Sequence, residues 1–268
     1  MPPHLCCLFT GLLLAAGSSL AMATVNPAIT LATYDYPPYC DSTDPDGGAL
    51  VAIVRAAFAE EDISVNLTVL PWQRLSSLSA DGRFDGVIGV WKTDSNSLRV
   101  SMGPPVFYSI LGFYQRQASA PFTMQDLIGR QAGVVNGYHY PTILRRLGTG
   151  FDAARDDETN LRKLQQGRID IAITEKAVGE ALIRKRRVAA NPALSWHGRV
   201  LAREALSVGF YQGAMHAHWQ QAFSRGLQKL QRKGHYRQLV AQYALEEYGS
   251  RLMSRWRPLM RLLSIWTC

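Results

Sequence analysis

At 268 residues, with 47% hydrophobic and 19% charged side chains, the chain is too apolar for a disordered tail and long enough for one large or two smaller packed units. Its 29 lysines and arginines against 21 acids give a formal charge of +8, which admits nucleic acid, an anionic membrane or an acidic small molecule as partner and selects none of them. The four cysteines, at positions 6, 7, 40 and 268, form no CxxC pair, which excludes a zinc ribbon and a disulfide-stapled mini-domain.

Residues 5–22 carry no charge, centre on Leu12-Leu13-Leu14 and run into Ala21-Met22-Ala23, a small-x-small cleavage pattern before Thr24. Residues 1–23 are therefore expected to be a secretory signal peptide and the protein to be periplasmic. Only His4 and the amino terminus supply positive charge upstream, so an uncleaved anchor is the alternative. Export would place Cys40 in an oxidising compartment with Cys268 as its one mature partner, and the sequence leaves that pairing open.

A first strand is predicted over Ile29–Thr33, ended by Tyr36-Pro37-Pro38-Tyr39 and the polar turn Asp41–Gly48. Leu50, Ile53, Val54 and Ala57 recur at helical spacing, and Val65, Leu67 and Val69 alternate as in a strand, so the opening reads as a parallel βαβ unit. Further on, Gly82-Arg83-Phe84-Asp85 before an apolar run is echoed by Gly167-Arg168-Ile169-Asp170 before another. In both, glycine suits the left-handed position that stops a helix, and the apolar run suits a buried strand. Two similar α/β lobes explain the echo, and a single larger parallel sheet containing both steps is the alternative.

Phe107–Gln115 reads as a strand closing the first half and Ser119-Ala120-Pro121 as a crossover, and Val134-Val135 leads to Asn136-Gly137. Helical periodicity covers 158–166, 176–187 and 215–245, the last broken at Gly234, and a strand near Ala205–Tyr211 leads into those final helices. Two crossovers between lobes would leave a cleft, a preferred place for small ligands. The run Arg184-Lys185-Arg186-Arg187 is expected to be a solvated helix end, and without any nucleic-acid-binding motif no nucleic-acid partner is expected. His216 and His218, two residues apart on a helix, point in different directions and read as surface residues, so no metal is expected. GxSxG, HExxH and P-loop motifs are absent, so no catalytic residue is assigned. Residues 248–268 form a basic tail in which Arg251, Arg255, Arg257 and Arg261 alternate with apolar residues, interrupted at Pro258; a weak membrane-surface contact, a tail packed on the protein and a frayed end are all consistent with it.

Residues 28–247 resemble the extracellular solute-binding proteins of family 3, the periplasmic receptors of polar amino-acid ABC transporters. The resemblance is carried by Tyr36-Pro37-Pro38-Tyr39, Pro71-Trp72-Gln73-Arg74, Leu78 through Gly82 to Asp85, and Asp126-Leu127-Ile128-Gly129 before Gly133-Val134-Val135-Asn136-Gly137. It continues through Leu161, Leu164, Gly167, Arg168 and Asp170 to Phe223, Gly226, Leu227, Leu230, Gly234, Tyr236 and Tyr243. It implies an α/β, type II periplasmic-binding-protein fold with two hinge strands and a central ligand cleft. Lobe 1 would comprise 24–116 and 206–247, and lobe 2 residues 117–205. It implies binding without catalysis or cofactor, a monomer, and delivery of a small amino-acid-like ligand to an ABC permease. A dehydratase-like enzyme using Glu175 and His139, and a receptor for a separate signalling protein, are the alternatives.

By the same resemblance, Tyr36 and Trp72 would form aromatic walls of the ligand cage, with core packing as the plainer role for both. Trp91 and Thr93 would sit in the loop facing the ligand carboxylate, and Asn136 and Tyr138 in the turn that closes over it. Glu175 would pair with the ligand's amino group. The family's carboxylate-binding arginine falls on Asn96, so Arg74, Lys92 or Arg99 would compensate, or the ligand is not an ordinary α-amino acid.

Overall fold

The apolar alternation of residues 28–33 and the helical spacing of 49–59 become strand β1 (Ala28–Thr33) and helix α1 (Ala49–Ala59), whose buried face is Leu50, Ile53, Val54, Ala57 and Phe58. The structure is a computed structural model that describes residues 27–249, apart from 79–81, 118, 120–122, 124, 147–149, 186 and 189–190. The expected signal peptide, the tail beyond Gly249 and Cys268 lie outside the described residues.

The chain continues through β2 (Ser64–Val69), α2 (Trp72–Ser76), β3 (Gly86–Trp91), α3 (Ser95–Leu98), β4 (Val100–Met102) and β5 (Phe107–Arg116). Next come β6 (Gln131–Val135), α4 (Ile143–Arg146), β7 (Gly150–Ala154), α5 (Asp157–Gln165), β8 (Ile171–Glu175) and α6 (Lys176–Arg184). The long strand β9 (Leu194–Tyr211) then leads to α7 (His216–Lys233) and α8 (His235–Gln242). Gly234, at φ +81, separates the last two helices, where a left-handed residue ends one and starts the next.

The strands join in the order β2-β1-β3-β9-β5-β8-β6-β7, with β4 paired to β9. β1 runs parallel to β2 and β3 in one half, and β6 runs parallel to β7 and β8 in the other. Between them lies the antiparallel pair β5–β9, with Phe107–Leu111 against Ala202–Leu206 and Gly112–Arg116 against Leu194–Val200. Across the bulge at Gly112, a Cβ would overlap the Trp196 ring, so glycine is required for the two connecting strands to touch there.

The sequence echo has a physical cause. Asp85 donates its backbone N–H to Thr30 and accepts the Thr30 N–H on its carboxylate, 2.8 Å each. Asp170 does the same with Gln131, at 2.9 Å in both directions. Each half thus uses a Gly-Arg-x-Asp segment to clamp the start of its central strand, with Gly82 at φ +78 and Gly167 at φ +70.

Two expectations are corrected. β9 begins at Leu194 rather than near Ala205, because its first twelve residues are half-exposed and include Arg199 and Arg203, which hides the strand pattern. The basic run is not simply a solvated end: Lys185 and Arg187 reach back to pair with the buried carboxylate of Asp41. At the other end, α1 and α7 pack so closely that a Cβ on Gly226 would overlap the Ala57 carbonyl. Gly226→Ala is expected to cost about 1–3 kcal/mol of stability, read from the shift in a urea unfolding midpoint.

Candidate ligand cleft

Aromatic residues from four separate segments meet between the two halves of the sheet. Tyr34 and Tyr36 follow β1, Trp72 opens α2, Trp91 ends β3 and Tyr138 follows β6. Tyr138 packs edge-on against Trp72 and Tyr36, with ring centres 5.1 and 6.3 Å apart, and lies 5.7 Å from Trp91. Tyr34 closes the other side at 4.8 Å from Trp72 and 5.4 Å from Tyr36. A bulge in β3 at Gly89, φ +92, turns Trp91 into this cluster, and the Gly89 carbonyl accepts the Tyr34 hydroxyl at 3.0 Å.

The cluster is short of hydrogen-bond partners. The Tyr36 hydroxyl and the indole N–H groups of Trp72 and Trp91 are buried with no partner among the described residues. A buried donor left unpaired costs about 1–3 kcal/mol, so a ligand that offers an oxygen or accepts their company gains from meeting them. Beside the rings is a cleft of about 390 Å³, lined from the first half by Tyr36 and Trp72 and from the second by Tyr138, Arg155, Asp157 and Arg187, among others. That size suits a ligand of amino-acid dimensions.

Polar contacts cross the cleft. The Gln73 side chain donates to the Arg155 carbonyl at 2.8 Å, His139 Nδ1 meets Asp94 at 2.7 Å, and Lys185 and Arg187 converge on Asp41. Burial works to raise the Asp41 pKa, but hydrogen bonds from Lys185 and Thr43 hold it below its ordinary value. For Asp94, burial wins over the His139 contact and the pKa is raised.

Tyr36, Trp72, Trp91 and Tyr138 are thus brought together, and all but Trp91 line the cleft. The remaining residues read from the sequence are elsewhere. Thr93 is exposed in the 3-10 turn Lys92–Asp94, and Arg74 is exposed on α2. Asn136 is exposed, with its backbone N–H given to Ala154 at 2.9 Å. Lys92, Asn96 and Arg99 are likewise exposed and outside the lining, so none of the three cations named as compensating for Asn96 faces the cleft.

Glu175 is 1% exposed and is not part of the lining. One carboxyl oxygen accepts the Ile110 N–H at 3.0 Å and the Tyr39 hydroxyl at 3.3 Å; the other caps α6 through the Val178 N–H at 2.8 Å. Burial pushes its pKa up to about 8 against the pull of these donors. Glu175 and His139 have separate partners, Ile110, Tyr39 and Val178 for one and Asp94 for the other.

Sequence reasoning missed Asp157, which is 6% exposed and lines the cleft at the start of α5. Burial pushes its pKa up to about 7. Asp156-Asp157-Glu158 is visible in the sequence as an acidic helix start, but nothing local tells that Asp156 caps the helix through Thr159 N–H at 2.7 Å while Asp157 turns to the cleft.

No protein-family model matches the sequence, and no curated protein does. Solved structures do match. A histidine kinase sensor domain with similarity to periplasmic binding proteins aligns over 81% of this chain and 95% of its own, with TM-score 0.69 and 24% identity. A Streptococcus pneumoniae ABC uptake transporter substrate-binding protein with bound histidine aligns over 84% of this chain and 95% of its own, with TM-score 0.70 and 15% identity. A Salmonella typhimurium periplasmic binding protein with high arginine specificity aligns over 81% and 99%, with TM-score 0.67 and 19% identity. The chain has the mixed α/β, type II periplasmic-binding-protein fold. Among the described residues, no helix is long and apolar enough to cross a membrane.

Proposed function

We propose that this protein is a periplasmic solute-binding receptor that captures a small polar ligand, an amino acid or a related amine or acid, between two lobes. It hands the closed form to an ABC permease in the inner membrane. The observation that carries the reading is the cleft of about 390 Å³, whose walls come from both halves of the sheet. Lobe 1 would be residues 24–116 and 206–247 and lobe 2 residues 117–205, with β5 and β9 as the hinge. The contacts Gln73–Arg155, His139–Asp94 and Asp41 with Lys185 and Arg187 would then be the closing contacts. Tyr36, Trp72 and Tyr138 would touch the ligand directly, with Trp91 behind them.

A ligand that binds only the folded protein raises its melting temperature by mass action. A thermal-shift screen with amino acids, polyamines, organic acids and short peptides is expected to give a saturable rise with at least one class, confirmed by calorimetry at one site per chain. Silence across all four classes overturns the reading.

A signalling role is the second reading, favoured by the likeness to a kinase sensor domain over 81% of this chain. Deleting the gene should abolish uptake of the ligand if the partner is a permease. If the partner is a kinase, uptake persists and ligand-dependent phosphorylation is lost. An enzymatic role has less support, because Glu175 is outside the cleft lining and His139 is engaged with Asp94.

A further inference from the structure

The charges around the cleft are lopsided, and in the opposite sense to the chain as a whole. Although the chain carries +8, the lining holds four acids, Asp35, Asp156, Asp157 and Glu158, against two cations, Arg155 and Arg187. Both cations already have carboxylate partners, Arg155 in an exposed pair and Arg187 in a more enclosed one. Arg155 pairs with Asp156 at 3.0 Å, and Arg187 lies 3.6 Å from Asp41 and 4.0 Å from Glu158. A ligand carboxylate entering here would compete with protein carboxylates for each guanidinium while facing the excess of negative charge.

Three of the four acids also have established work. Asp35 is exposed and accepts the backbone N–H and hydroxyl of Ser42 at 2.8 and 3.0 Å. Asp156 caps α5, and Glu158 pairs with Arg162 at 2.6 Å. Asp157 differs from them. It is 6% exposed, forms no ion pair among the described residues, and accepts from the Tyr138 hydroxyl over a long 3.5 Å. A buried carboxyl without a counter-charge is expensive, and its raised pKa, about 7, expresses that cost. Tyr36 is one of the residues lining the same cleft, and its buried hydroxyl, without a partner among the described residues, has a lone pair to offer an N–H donor that reaches it. The faces of Tyr36, Trp72 and Tyr138 are the surfaces on which a cation is attracted by the ring quadrupole.

We infer that the cleft takes an organic cation, an ammonium or guanidinium that bears no carboxylate beside it, with Asp157 as its counter-charge. This rests on the receptor reading above and names its ligand class. The carboxylate-free amine keeps the pairing with Asp157 and the aromatic contacts, and avoids placing a second carboxylate beside the one buried acid that has no ion pair among the described residues. The group at Asp157 stays desolvated between aromatic faces, where a charge pair is stronger than at the surface.

The test compares amino acids with the amines obtained by removing their carboxyl group: arginine with agmatine, lysine with cadaverine, tyrosine with tyramine. Binding to the purified protein is measured by calorimetry. At least one amine is expected to bind about tenfold or more tightly than its amino acid. Asp157→Asn is expected to weaken that amine about tenfold or more while leaving the melting temperature unchanged or raised, which separates loss of the site from loss of the fold. An amino acid that binds as tightly as its amine overturns the ligand class and leaves the receptor reading standing, as does an amine whose affinity survives Asp157→Asn. If neither series binds but an organic acid or peptide from the wider screen does, the ligand class also fails alone. Silence in both the paired series and the wider screen overturns the two together.

Discussion

Glu175→Ala is expected to destabilise the protein by about 3–5 kcal/mol, lowering its melting temperature by about 10 °C, because it strips three buried donors of their acceptor at once. The Ile110 N–H belongs to β5, the Val178 N–H to the first turn of α6, and the Tyr39 hydroxyl to the loop before α1. One carboxyl therefore ties the end of β8, where Glu175 stands opposite Leu111, to a connecting strand, a helix and the opposite side of the cleft. Alanine leaves two backbone N–H groups and a hydroxyl without a partner in a site 1% exposed, together with a small cavity. Glu175→Gln keeps the volume but only one of the two acceptor oxygens, its amide nitrogen being turned on at least one of the donors, so its loss should be intermediate. Differential scanning calorimetry of the two variants checks the ordering, and an alanine variant as stable as the parent would show that the three donors find other acceptors. Because Glu175 is outside the cleft lining, any fall in ligand affinity in Glu175→Gln should be small compared with that in Asp157→Asn.

The contrast between these two acids also marks how far the sequence could be read. Local patterns were legible because local physics produces them. The Gly-Arg-x-Asp echo corresponds to two identical clamps, Asp85 on Thr30 and Asp170 on Gln131, each made by a residue at the start of a strand. Tyr36, Trp72, Trp91 and Tyr138 could be singled out through the order and spacing of motifs, the first two as aromatic walls and the others as loop and turn residues, and the chain gathers the four rings into one cluster. The polar contacts across the cleft were not legible, because they join positions with no shared periodicity. Lys185 meets Asp41 across 144 residues, and His139 meets Asp94 across 45. An acid at the start of α5 looks the same in sequence whether it caps the helix, as Asp156 does, or faces a ligand space, as Asp157 does. The difference lies in the direction of one side chain relative to the other half of the sheet, which only the assembled fold determines.

The same buried acid makes stability depend on pH in an unusual direction. The Asp157 carboxyl titrates near 3.8 when the chain is unfolded and is pushed up to about 7 in the folded protein by burial, with the Asp156 charge adding to the rise and Thr174 and Tyr138 opposing it. Between those values the folded state holds a proton that the unfolded state has released, so stability falls as pH rises from about 4 to about 7 and then levels off. At 1.36 kcal/mol per unit, the full excursion amounts to about 4 kcal/mol for this group. Glu175, pushed up to about 8 from 4.5, acts in the same sense and extends the fall by another unit of pH. Most proteins lose stability on acidification because their salt-bridged carboxylates must be protonated, and Asp41, held low by Lys185, pulls in that ordinary direction here. The expected result for the ligand-free protein is a higher urea midpoint at pH 5 than at pH 8, and a smaller difference in Asp157→Asn, which carries no ionisable group at that position. A parent protein whose midpoint is flat or rises from pH 5 to pH 8, with Asp157→Asn behaving identically, would mean that Asp157 is ionised in the empty cleft and already compensated. A bound cation should reverse the sign of the Asp157 contribution while that of Glu175 keeps its sense: by holding Asp157 in its charged form the cation removes the proton uptake that favours the folded state at low pH, and adds stability where the carboxylate is available to pair with it.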